Sequence, residues 1–170
     1  YTRYGQWYGN PYGEWSSMFI AFCLYYTGIP HGAVPMYAGA ETLRTAWEDL
    51  NGYTPISQGQ PSPGDLIFFD TDGDGKADHT GIVSMAKGFE LKAIVGDLND
   101  RVEEIAFQKK DSVCLGYVPA SAIESTLAEN YVIRLQRAVA LPTLGSTAQT
   151  ILDSSSQILN HGGANVAKPL

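Results

Sequence analysis

Apolar residues crowd the segment that follows Glu14. Met18, Phe19, Ile20, Phe22, Cys23 and Leu24 leave no polar face, and the pattern predicts a helix over 14–27 buried on all sides. Gly28 then offers a helix stop and Pro30 follows it. Leu43, Ala46, Trp47 and Leu50 recur at three- and four-residue intervals, so a second helix is expected over 41–50, ended by Asn51-Gly52. Beyond Pro61–Gly64 the period changes. Short apolar runs at 65–69, 79–86, 90–95, 101–107 and 112–118, separated by turn residues, read as strands of an antiparallel sheet. Helices first and strands afterwards give an α+β fold.

Before the buried helix, Tyr1, Tyr4, Trp7, Tyr8, Tyr12 and Trp15 alternate with Gly5, Gly9 and Gly13. Rings so closely spaced either seal a core edge or line a groove, and Trp7, Tyr12 and Trp15 are the candidate groove residues. After Pro119 the periodicity weakens. Helices are expected at 131–141 and 147–159, and Ser154-Ser155-Ser156 and Gly162-Gly163 resemble a linker. A domain boundary is placed near residue 120, with 1–120 the folded domain and 121–170 a linker or helical tail.

Composition narrows the function. Of 170 residues, 44% are hydrophobic and 17% charged, enough to fold around a core without disulfides. The net charge of −7 comes without a basic stripe, so nucleic acid is not an expected partner. Apolar runs are too short for a membrane span. The start at Tyr1, with no signal-like segment, suggests a processed or excised piece. Cys23 and Cys114 both lie in apolar runs and read as buried free thiols rather than a disulfide.

Three places carry candidate chemistry. Ser16 stands where the polar stretch gives way to the buried helix, so it faces unpaired amide N–H groups and the positive end of the helix dipole. Such a position lowers a thiol pKa and stabilises an oxyanion, although Ser there is also an ordinary helix cap. The Ser16 amide is the candidate oxyanion donor, with Asn10 or Tyr12 a second. His79 opens an apolar strand, whereas His31 and His161 fall in loop and tail. Asp97 ends the next strand; in a hairpin it comes near His79 and can fix the imidazole tautomer, though Gly-Asp is also plain turn chemistry.

A further cluster lies just before His79. Asp70, Asp72, Asp74 and Asp78 occupy positions 1, 3, 5 and 9 of a calcium loop of the EF-hand type, with Gly75 at 6 and the Lys76 carbonyl at 7. Position 12, normally Glu, is Gly81. Four carboxylates in nine residues repel one another without a counterion, which favours Ca²⁺ over a bare Asp-Gly hairpin tip.

Several spaced motifs together carry a resemblance. These are Tyr4-Gly5-x-Trp7-Tyr8-Gly9, Trp15-Ser16-x-Met18-Phe19-x-x-Phe22-Cys23, Pro63-Gly64-Asp65-Leu66-Ile67-Phe68-Phe69, Asp78-His79-x-Gly81-Ile82-Val83 and Leu115-Gly116-Tyr117. In this order, over about residues 1–118, they resemble the CHAP family of cysteine- and histidine-dependent amidohydrolases/peptidases. The resemblance implies a papain-like fold of the NlpC/P60 type, with N-terminal helices packed on an antiparallel sheet. It implies cleavage of amide bonds in bacterial peptidoglycan, as endopeptidase or N-acetylmuramoyl-L-alanine amidase, by a secreted or wall-associated, monomeric enzyme. Two positions depart from the family pattern. Ser16 stands where the family has its nucleophilic Cys, and Val95 and then Asp97 stand where it usually has Glu two residues before Asn. A hydroxyl is far harder to ionise than a thiol, so an inactive form is expected, whether by engineered Cys-to-Ser substitution or as a natural serine variant. The alternative reading is a non-catalytic cell-wall-binding module. A calcium-dependent cohesion module and a Ser16–His79–Asp97 serine hydrolase are weaker rivals, the latter for want of a G-x-S-x-G elbow.

Overall fold

The computed structural model describes residues 1–140. Four α-helices and a six-stranded antiparallel sheet make an α+β arrangement among these residues. The helices are α1 (Arg3–Tyr8), α2 (Ser16–Tyr26), α3 (Ala40–Asp49) and α4 (Ala120–Ala140). The strands are β1 (Thr54–Pro55), β2 (Leu66–Phe69), β3 (His79–Lys87), β4 (Glu90–Leu98), β5 (Arg101–Gln108) and β6 (Cys114–Val118), in sheet order β1-β6-β2-β3-β4-β5. One 3-10 turn, Ile56–Gln58, follows β1.

The continuous apolar run of β2 is explained by a sheet covered on both faces at its centre. Leu66 and Phe68 join the helices in one core with Trp15, Met18, Phe19, Ile20, Leu43, Trp47 and Val118. Ile67 and Phe69 point the other way, into a second cluster with Val83, Leu91, Ala93, Val95, Phe107 and Cys114. Trp47 is wholly buried. Its amphipathic helix α3 leaves Glu41, Arg44 and Glu48 on the outer side, where Arg44 pairs with both carboxylates.

The expected elements lie within a few residues of those observed. The two-residue β1 and the first half of α4 are not among the expected elements. Helix α4 starts at the expected boundary, residue 120, and continues past it, with Ile123 buried in the helical core. Asp65 fixes its start: one carboxylate oxygen accepts the Ala120 N–H at 2.9 Å and the other the Ser62 N–H at 2.8 Å. The compact unit accordingly runs Tyr1–Tyr131, and a second unit begins at Val132. The helix expected at 147–159 and the linker features at 154–156 and 162–163 lie outside the described residues. Both cysteines are free thiols, Cys114 buried and Cys23 half-buried. Among the described residues no helix is long and apolar enough to cross a membrane.

Candidate functional site

Ser16 is the first residue of α2, and the residue before it, Trp15, makes no side-chain capping bond. No acidic residue stands in the first turn, so the amide end of this buried helix has neither a side-chain cap nor a counter-charge of its own. The helix is seated directly on β4. A Cβ on Gly96 would lie 2.7 Å from Phe19 Cβ and 3.1 Å from Trp15 Cζ3. Only a glycine lets the helix start approach the strand so closely.

The next residue, Asp97, joins the pieces. Its carboxylate accepts the Trp15 N–H at 2.8 Å. Its main-chain carbonyl faces His79 Nε2 at 3.4 Å. The geometry follows from strand pairing: Gly81 lies opposite Val95, and two further residues along each antiparallel strand bring His79 level with Asp97. An irregularity in β4 between Val95 and Leu98, with Asp97 at φ +64°, turns its side chain toward the helix. Ser16 is buried at 4% exposure, while the His79 side chain is half-buried at 28%. The helix start bearing Ser16 and the imidazole of His79 therefore meet at one residue, on the same end of the sheet.

The division of labour differs from the sequence expectation in one respect. The carboxylate beside the imidazole is that of Asp78, with Oδ1 at 3.3 Å from Nδ1, while the Asp97 carboxylate is engaged by the helix. Asp78 Oδ2 also accepts the N–H and the hydroxyl of Thr71, at 2.8 and 2.5 Å. Burial pushes the Asp78 carboxyl up, but the Thr71 bonds and His79 together outweigh it and hold it below the usual range. Adjacency of Asp78 and His79 in sequence was a signal that could have exposed this contact.

Of the acidic loop, Asp70, Asp72 and Asp78 place one carboxylate oxygen each within 4.8 Å of one another. Asp74 stands outside this group, and its carboxylate accepts the Lys76 N–H at 2.8 Å. Asp70, itself buried, accepts the N–H groups of Gly73, Asp74 and Gly75. Gly81 at the twelfth loop position is inside β3, where a Cβ would lie 2.8 Å from the Ile94 carbonyl oxygen, so no acidic side chain fits there. The carboxylate reaching this loop from elsewhere is Glu41 of α3, which accepts the Ala77 N–H at 2.8 Å.

Comparison with protein-family models, with curated proteins and with solved structures gave no match.

The expected aromatic groove is divided among three environments. Trp15 is a core residue at 4% exposure, stacked on Tyr4 at 5.1 Å, with its indole N–H buried and unpartnered; its ring is not free for a ligand. Tyr12 is 82% exposed and touches Tyr1 edge-on. Trp7 lies among Phe22, Tyr25, Tyr26 and His31, where α1 meets the far end of α2. That end is about 15 Å from Ser16 at 1.5 Å rise per residue.

Proposed function

We propose that residues 1–131 are a papain-like hydrolase domain that cleaves amide bonds of bacterial peptidoglycan, with a thiol at position 16 in its active form and little or no activity with Ser16. The observation that supports this reading is the convergence at Asp97 of an uncapped helix start and an imidazole held by a carboxylate. The chemistry follows from those parts. A thiolate at position 16 attacks the amide carbon, and the developing oxyanion is met by the α2 amide end. His79, which takes the thiol proton, returns it to the leaving amine. Water then attacks the acyl-enzyme, with His79 as base, releasing the carboxylate and restoring the thiol. In the chain as it stands the Ser16 hydroxyl is too weak an acid to supply the thiolate–imidazolium pair.

The substrate class, peptidoglycan, and the secreted or wall-associated setting rest on the motif resemblance. The resemblance covers both endopeptidase and amidase. Calcium at the Asp70–Asp78 loop is part of the same proposal. Asp70, Asp72 and Asp78 would hold it and thereby stiffen the segment that presents His79. Calorimetric titration of chelator-treated protein with Ca²⁺ is expected to give heat and a higher melting temperature, and the absence of both removes the metal.

The enzymatic test is the clearing of cell-wall suspensions by Ser16→Cys beside the unaltered chain. A strong gain supports hydrolysis. The second reading, a wall-binding module without catalysis, is favoured by the serine itself, and wall binding without clearing by Ser16→Cys would establish it.

A further inference from the structure

One residue holds both halves of the candidate site, and it does so with different atoms. The Asp97 side chain accepts the Trp15 N–H that precedes Ser16, and the Asp97 carbonyl faces the imidazole. The backbone there is left-handed, at φ +64°, a conformation unfavourable to a non-glycine residue that persists where the surroundings impose it. Gly96 beside it gives the close seat of Phe19 and Trp15 on the strand. Asp78 supplies the imidazole with its carboxylate, so the Asp97 charge is not needed there.

We infer that Asp97 is a positioning residue: its carboxylate anchors the start of α2 to the end of β4 and thereby sets the separation between the side chain at position 16 and His79, rather than steadying the imidazole. The inference rests on the proposed hydrolase reading and assigns a role within it. The acceptor matters and the charge does not. Asn keeps an acceptor oxygen and tolerates left-handed backbone better than Asp, whereas Gly keeps the backbone and loses the anchor.

The test compares Asp97→Asn and Asp97→Gly in the Ser16→Cys protein, with turnover on solubilised peptidoglycan and the pH profile of alkylation of the introduced thiol. Asp97→Asn is expected to keep kcat within about threefold, because the anchor survives. Asp97→Gly is expected to lower kcat by about 10- to 100-fold with KM little changed, as a displaced nucleophile does. Were the Asp97 charge itself needed to steady the imidazolium, Asp97→Asn would lower kcat about as far as Asp97→Gly does. A loss in Asp97→Asn as deep as in Asp97→Gly overturns the inference, and so does an Asp97→Gly protein with unchanged kcat. If Ser16→Cys cleaves no wall material, the hydrolase reading falls while the alkylation profile still decides the positioning. A thiol that ionises well below the ordinary range in Ser16→Cys and Asp97→Asn, and at the ordinary pH in Asp97→Gly, supports it. Identical, ordinary profiles in all three overturn it.

Discussion

The seat of α2 on β4 can be tested by a single methyl group. In Gly96→Ala the new Cβ would stand 2.7 Å from Phe19 Cβ, 3.0 Å from Phe19 Cγ and 3.1 Å from Trp15 Cζ3. Phe19 and Trp15 are buried at 7% and 4% exposure, and Trp15 is also stacked on Tyr4, so neither ring can swing into solvent. Overpacking of this kind costs about 1–3 kcal/mol. Opposing it, Ala restricts the unfolded chain and returns about 0.4–1 kcal/mol. The net expectation is a loss of about 1–2 kcal/mol, with the helix start lifted from Asp97. In urea, with m of about 1–3 kcal/mol/M, the midpoint should fall by roughly 0.3–2 M at unchanged m. In the Ser16→Cys background the alkylation rate of the introduced thiol near pH 6 should fall as well, because the helix start moves away from His79. An unchanged or higher midpoint, together with an unchanged alkylation rate, would refute the close seating of α2.

Further outcomes follow from single contacts elsewhere. Asp65→Ala strips the partners of two amides, Ser62 and Ala120, and should cost about 3 kcal/mol in urea unfolding; a loss below 1 kcal/mol would show that α4 does not depend on it. The Glu41 carboxyl is held below its usual value chiefly by Arg44, against an opposing contribution from burial and with help from the Ala77 amide. A depressed carboxyl contributes stability above its unfolded pKa that is lost as pH falls, so Glu41→Gln should flatten the stability curve below about pH 4.5, and a curve parallel to the parent's would contradict this. Burial pushes the Cys114 thiol up to about 12, with Asp111 adding to it and Lys109 opposing, and burial also raises Cys23. Native protein should therefore react with a thiol reagent at pH 8 at least about tenfold more slowly than urea-unfolded protein, and two fast equivalents from the native state would contradict the burial.

How much of this was legible in the sequence depends on whether a feature is local. The run Met18–Leu24 dictates a buried helix wherever it packs, and Leu66–Phe69 dictates a strand covered on both faces. The pairing of His79 with the end of β4 was also accessible, because two adjacent strands joined by a Gly88 turn fix their own register. What failed was direction. Asp97 lies where the hairpin reading placed it, but a left-handed φ, which no residue pattern announces, sends its carboxylate to Trp15. Trp15 itself could seal a core or line a groove, and only the close approach over Gly96 decides for the core. The start of α4 was missed because its apolar anchors, Ile123 and Leu127, are sparse, and its cap, Asp65, is distant in sequence. The spacing of the acidic loop anticipated the cluster of Asp70, Asp72 and Asp78, yet Asp74 turns back onto the Lys76 amide.

The most direct test of amide hydrolysis by position 16 and His79 is mass spectrometry of purified peptidoglycan after incubation with Ser16→Cys and with Ser16→Cys/His79→Ala. The expected result is one class of fragment carrying a new amine and a new carboxylate from the same severed amide, formed by the first protein and not by the second. Intact peptidoglycan in both reactions, or the same fragments from both, would contradict the hydrolase.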